Sequence, residues 1–142
     1  MWYNYQRQDT IKEEPMKTLE IEWKHLDVEG KTCARCSDTG EALQEVIGKL
    51  TEECKPLGWE IKFKETKLTS KDISESNVLL FNGKPIESLL PEARASESHC
   101  ESCSEITGQS TSCRTVEFGG NSYGGIPASL IRQAVCQMTQ CN

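Results

Sequence analysis

Apolar and charged positions alternate near the start of the chain. Leu19, Ile21 and Trp23 stand against Glu20, Glu22 and Lys24. A period of two over 18–28 predicts a strand with one face turned inward. Leu26 and Val28 then fall on the opposite face, so the strand's end is expected to be covered on both sides. Glu29-Gly30-Lys31 breaks the pattern. From Cys36 to Cys54 the period becomes helical. Leu43, Val46, Ile47 and Leu50 follow the i, i+3, i+4, i+7 spacing, and the same stripe reaches back to Cys36 and forward to Cys54. Asp38 and Glu41 have the spacing of a capping box, which places the start of the regular helix a turn later. Pro56 and Gly58 end it.

Trp59, Ile61 and Phe63 alternate with Glu60, Lys62 and Lys64, a second strand over 59–68. A helical crossover between two strands predicts a βαβ unit, with the strands parallel. The polar stretch 69–76 reads as one helical turn, and Asn77-Val78-Leu79-Leu80-Phe81 as a buried central strand bounded by Asn82-Gly83. Ile86 to Leu90 reads as a short helical turn ended by Pro91. Residues 93–112 are rich in Ser, Glu and Cys, with almost no large apolar side chain, and read as an insertion loop that cannot bury itself. Arg114 to Phe118 alternates as a strand, Gly119-Gly120-Asn121 turns, and Pro127 opens a last helix. Its apolar face is Leu130, Ile131, Ala134, Val135 and Met138.

The expected fold class is therefore α/β, a central mixed sheet of about four strands flanked by helices. Residues 1–15 mix Trp2, Tyr3 and Tyr5 with polar residues at no period, and are expected to form a disordered tail before a domain over 16–142. The chain's 142 residues suit one domain able to bury a core without crosslinks. A net charge of −6, with no Lys/Arg cluster, argues against nucleic acid. No apolar run approaches the ~20 residues of a membrane span. The first fifteen residues lack the apolar core of a secretory signal, so a cytoplasmic location is expected. In that compartment eight cysteines point to metal binding or redox work before a disulfide framework.

The chemistry concentrates in Thr32-Cys33-Ala34-Arg35-Cys36. The two thiols sit where the strand pattern gives way to the helix pattern. A helix N-terminus favours thiolate over thiol, and Arg35 and Lys31 act in the same direction. Cys36 lies on the apolar stripe and is expected to point inward; Cys33 lies before the first turn and is expected to be more exposed. That asymmetry suits a catalytic pair in which Cys33 attacks a disulfide and Cys36 resolves the mixed disulfide. Set against it are two ordinary buried cysteines, and two thiolates sharing a soft metal.

Cys100, Cys103 and Cys113, with a fourth ligand from His99 or elsewhere, form a candidate zinc site. Their spacing lacks a second C-x-x-C, and adjacency to Cys100 strains ligation by His99. The other readings are a disulfide or second dithiol exchanging with Cys33 and Cys36, and a flexible loop with free thiols. Cys54 and Cys136 are expected to pack in the core, and Cys141 to be a free thiol. His25 is expected to be a surface or half-buried strand histidine rather than a proton donor for Cys33. Glu41, Glu45, Glu52 and Glu53 form a solvated helix face. Gly119-Gly120 and Gly124-Gly125 are not phosphate loops, since no Lys-Ser or Lys-Thr follows.

The order strand, C-x-x-C, helix, strand, turn, strand, strand, helix resembles a thioredoxin-like domain. More closely, the chain resembles an uncharacterised prokaryotic thioredoxin-like family, domain of unknown function 2703. The resemblance rests on Thr32-Cys33-Ala34-Arg35-Cys36, on residues Asn77 to Ile86, on Cys100 and Cys103, on Cys113-Arg114-Thr115-Val116, and on Ile126-Pro127. It implies the fold across 16–136. Thioredoxins carry a cis-proline facing their thiols, where this chain has Ser76-Asn77, and usually an aromatic residue before the first Cys, where it has Thr32. Three functions follow. The first is a thiol–disulfide redox protein acting on a protein disulfide or small thiol, with no cofactor required. The second is a non-enzymatic zinc or soft-metal protein. The third is a thioredoxin-fold interaction module without chemistry.

Overall fold

Strand β1 (Lys17–Leu26) is the axis of the fold. In the computed structural model, which describes residues 16–141, β1 pairs in parallel along its whole length with β2 (Trp59–Leu68). Leu19 stands opposite Ile61, and Ile21 opposite Phe63. On its other side β1 pairs antiparallel with β3 (Val78–Phe81), which carries a two-residue strand, β4 (Lys84–Pro85). The sheet order β2-β1-β3-β4 is a four-stranded mixed sheet. The crossover from β1 to β2 is helix α1 (Ala34–Cys54), which gives the parallel pairing expected of a βαβ unit. The Asn82-Gly83 turn joins β3 to β4 with both residues left-handed, φ 52° and 83°, which a two-residue hairpin requires.

Short 3₁₀ turns at Lys55–Leu57 and Ser70–Glu75 and a one-turn helix α2 (Ile86–Leu89) complete this half. The next half is a separate antiparallel sheet: β5 (Arg94–His99), β6 (Ser112–Phe118) and β7 (Asn121–Tyr123). Helix α3 (Glu101–Thr107) lies between β5 and β6. Helix α4 (Ala128–Thr139) closes the chain and packs against α1, with Arg132 paired to Glu53 at 2.5 Å.

The core follows the period-two and period-3.6 stripes. Leu19, Ile21 and Trp23 from β1, Leu43, Val46 and Leu50 from α1, and Leu130, Ile131 and Val135 from α4 form one buried cluster. Each such side chain contributes about 1.5–3 kcal/mol by leaving water. Gly40 lets α1 lie close on the sheet: a Cβ there would come 2.7 Å from the Trp23 ring. The Gly124-Gly125 pair does the same at the helix start, where added Cβ atoms would meet Arg35 and Asp38 at 2.6 Å. The two glycine pairs that lacked a phosphate-loop signature therefore include one whose role is close approach.

Several expectations are corrected. Residues 93–112 are not a loop, since they hold β5, α3 and the first residue of β6. The apolar side chains that sequence reading looked for are replaced by Cys100, Cys103 and Cys113, which are buried. The strand at 114–118 exists but belongs to the second sheet, so the fourth strand of the first sheet is β4. Helix α1 starts at Ala34, a turn earlier than the Asp38–Glu41 capping box implied, with Cys33 at the N-cap. Cys141 is not free, because it bonds to Cys136. Cys54 is buried as expected, beside Thr139. The tail expected at 1–15 lies outside the described residues. Among the described residues no helix is long and apolar enough to cross a membrane.

Two glycines of α1 give opposite predictions. Gly48 has open space where a Cβ would go, so Gly48→Ala should raise stability by about 0.5–1 kcal/mol through helix propensity. Gly40→Ala gains the same propensity but must displace the buried Trp23 ring, and should lower stability by about 1–3 kcal/mol. Urea unfolding of the two variants measures both signs.

Candidate metal centre

The site forms where the second sheet meets the start of α1. Strands β5 and β6 pair so that Ser98 stands opposite Cys113 and His99 opposite Ser112, and the Cys100 N–H donates to the Thr111 carbonyl at 2.8 Å. Cys100 and Cys113 thus lie two positions apart along the same ladder, one on each side of it. Cys100 is also the N-cap of α3, where its sulfur accepts the Cys103 N–H at 3.4 Å. This cap turns Cys103 inward beneath Cys100.

Two contacts fasten this unit to α1. The Ala34 N–H, left without an intrahelical partner at the helix start, donates to Ser102 Oγ at 3.0 Å. Arg35 then spreads its guanidinium across the end of the β5–β6 pair. Nη1 donates to the Ser98 and Cys113 carbonyls at 3.4 and 3.3 Å, and Nη2 to Ser98 Oγ and the His99 carbonyl at 2.9 and 2.7 Å. Cys33, the residue just before α1, is pressed onto the cysteines of the second sheet.

The result is a group of four thiols, Cys33, Cys100, Cys103 and Cys113, whose sulfurs all lie within 4.8 Å of one another. All four are buried, Cys33 and Cys103 completely. The Cys103 and Cys113 sulfurs are 2.7 Å apart. Cys33 is held far below the ordinary thiol range by hydrogen bonds from Cys103, Cys113 and Cys36, which outweigh burial. Cys103 is pushed well up by its contacts with Cys113 and Cys33 and by burial. Cys113 gains a lowering hydrogen bond from Cys103, yet Cys33 and burial carry it up to about 12. Cys33 is thus a buried thiolate beside two thiols, Cys103 and Cys113, that keep their protons. Four sulfurs around Zn²⁺ at about 2.3 Å stand roughly 3.8 Å apart, so the donor set and its spread fit a tetrahedral ion. Fitting one asks Cys103 and Cys113 to separate by about 1 Å.

Cys33 is thus not the more exposed member of its pair. The hairpin that covers it comes from far along the chain, out of reach of a local pattern. Cys36 points inward as expected, with Ser76 Oγ 3.3 Å from its sulfur, and its pKa is raised by the adjoining Cys33 and by burial. Ser76 stands beside this thiol, at the position where the resemblance placed a missing proline. His99 does not join the four sulfurs: its side chain is exposed and its Nε2 pairs with Glu101 at 3.0 Å. Three of the four grouped residues, Cys100, Cys103 and Cys113, are the candidate zinc ligands expected from the sequence, and the fourth is Cys33 rather than His99. Cys33 was singled out for another task.

His25 is buried rather than half-buried. Its ring stacks on Trp23 at 3.9 Å, Nε2 meets Glu65 at 2.5 Å, and Nδ1 lies 3.0 Å from the Leu26 carbonyl and 3.2 Å from Thr32 Oγ1. Because a carbonyl only accepts, Nδ1 carries a hydrogen. The residue anchors the end of β1 to the Cys33 loop. The carboxylates Glu41, Glu45, Glu52 and Glu53 are exposed, as expected of a solvated face.

The chain is similar to an uncharacterized protein of Archaeoglobus fulgidus, 33% identical over 117 residues that cover 80% of this chain and 82% of that one. No solved structure matches. The family model described as a domain of unknown function, DUF2703, matches residues 19–135, a span that includes all four clustered cysteines and stops short of the Cys136–Cys141 disulfide. The chain belongs to the DUF2703 family.

Proposed function

We propose that the protein is a metal-binding protein that holds one Zn²⁺ through Cys33, Cys100, Cys103 and Cys113. The observation that carries this reading is the convergence of four buried sulfurs within 4.8 Å. Three of them lie in a segment with few large apolar residues, where metal binding supplies folding free energy that a core does not. Thiolate donors select soft or borderline ions, and a four-sulfur tetrahedron with no open position is a structural site rather than a catalytic one. The Cys103 N–H and the Arg35 guanidinium temper the negative charge that four thiolates would bring. The protein's place is the cytoplasm, where thiols stay reduced and free to bind metal. Nucleic acid and membrane are not its partners.

A second reading is favoured by the contact of Cys36 with Cys33. In it, Cys33 and Cys36 form a catalytic dithiol on a thioredoxin-like domain, exchanging with Cys103 and Cys113 or with a protein disulfide or small thiol partner. The order β1, C-x-x-C, α1, β2, turn, β3, β4, and finally α4 supports that fold. Full burial of Cys33 favours the metal reading, since a bulky disulfide has no approach to a sulfur with no exposed surface.

Metal analysis of the reduced full-length chain, loaded with zinc and desalted, should find one zinc per chain, and cobalt should give the visible bands of a tetrahedral tetrathiolate. Cys113→Ser and Cys33→Ser should each weaken zinc binding by about tenfold or more in competition with a chelator. A reduced, folded chain that takes up no metal would overturn the proposal.

Arg35→Ala should leave the first sheet intact and loosen the second. Zinc affinity should fall about 10–100-fold, the range for losing a group that orients ligands without touching the metal. Amide exchange should quicken at Cys100 and Cys113 while β1 stays protected. Unchanged affinity would show that the hairpin docks without the guanidinium.

A further inference from the structure

Cys33 belongs to two sulfur groups at once. It closes the ring of four thiols, and it also meets Cys36, three residues on in the first turn of α1. Cys36 is fully buried, lies outside the four-sulfur group, and has Ser76 Oγ as its other near neighbour at 3.3 Å. A structural metal site needs four sulfurs; this one has a fifth within reach of a ligand. Thiols three residues apart across a helix start are placed to close a disulfide with little movement of the backbone. The other free thiol among the described residues, Cys54, sits at the far end of α1 beside Thr139 and takes no part.

We propose that Cys36 is a redox trigger for the metal centre: oxidation joins it to Cys33, takes one of the four ligands away, and releases the metal. The inference rests on the metal-centre reading. The oxidant is hydrogen peroxide, small enough to reach a sulfur that a disulfide cannot approach. The Cys33 sulfur attacks one peroxide oxygen, forming Cys33–S–OH as the O–O bond breaks and hydroxide leaves. Cys36 then attacks the Cys33 sulfur, forming Cys33–S–S–Cys36 and expelling the hydroxyl group, which leaves with the Cys36 proton as water. Two electrons pass from the cysteine pair to the peroxide. The ion departs as Zn²⁺, leaving Cys100, Cys103 and Cys113 as three thiolates, so charge is conserved. Three ligands from one unit remain, but the link to α1 through sulfur is lost. A reduced cell interior keeps the metal bound; a rise in peroxide frees it.

The test uses the zinc-loaded full chain, hydrogen peroxide as the oxidant, a colorimetric chelator to follow zinc, and mass spectrometry of alkylated peptides to map bonds. The wild type should release zinc in step with appearance of a Cys33–Cys36 disulfide. Cys36→Ser and Cys36→Ala should bind zinc like the wild type but release it roughly tenfold more slowly or less, because no neighbouring thiol condenses with the Cys33 sulfenic acid. Release at the wild-type rate from both variants, or a first disulfide between Cys103 and Cys113, would overturn the trigger while leaving the metal centre standing. Failure of the reduced wild type to bind zinc at all would overturn both.

Discussion

Arg35 ties together two parts of the chain that share no sheet. Its guanidinium meets three backbone carbonyls and one hydroxyl, all belonging to the β5–β6 pair. A lysine cannot do this, because a single ammonium has no planar fork to span neighbouring strands. The grip positions the hairpin over the N-terminus of α1, and everything chemical about the protein follows from it. Cys33 is covered, three further sulfurs are brought to it, and the Ala34 N–H finds Ser102. Without that grip the hairpin offers a buried pocket nothing to close against.

The fold divides the work between two kinds of cohesion. The first sheet and its helices are held by ordinary apolar burial, with Trp23 fitted under Gly40 and the Leu and Ile side chains of β1, α1 and α4 around it. The second sheet has little of this. Its inner positions are Cys100, Cys103, Cys113, Thr115 and Val116, and its ties to the rest include the Arg114–Glu87 ion pair, with both partners largely buried. A unit so poor in apolar area is where a metal's binding energy matters most to folding. It is also where loss of one ligand has the largest structural consequence.

The four sulfurs do not behave as four equal ligands-in-waiting. Placing several thiols together in a buried space leaves room for one negative charge, which settles on Cys33 because its neighbours donate to it. Cys103 and Cys113 are driven toward the neutral form. A divalent ion reverses that order, since it replaces protons on every sulfur at once. Cys36 remains protonated beside the charged sulfur, which is the state a resolving thiol starts from.

Much of the fold was legible in the residues. The alternation at 19–23 and 59–64, the helical stripe from Cys36 to Cys54 and the Asn82-Gly83 turn each depend on neighbours within a few positions, and each element formed within a few residues of its expected place. The two C-x-x-C pairs and Cys113 marked the chemistry. The segment at 93–112 was not legible, because its burial comes from thiols and docking rather than from an apolar stripe. Nor was the fourth member of the sulfur group. Ala34 and Ser102 stand 68 positions apart, and no local period relates them. The sequence alone determined the elements of the first sheet and its helices, and which side chains can do chemistry, since those are properties of short stretches. Tertiary structure decided that Cys33 faces Cys100, Cys103 and Cys113 instead of solvent, because only the folded backbone brings the β5–β6 carbonyls within reach of Arg35.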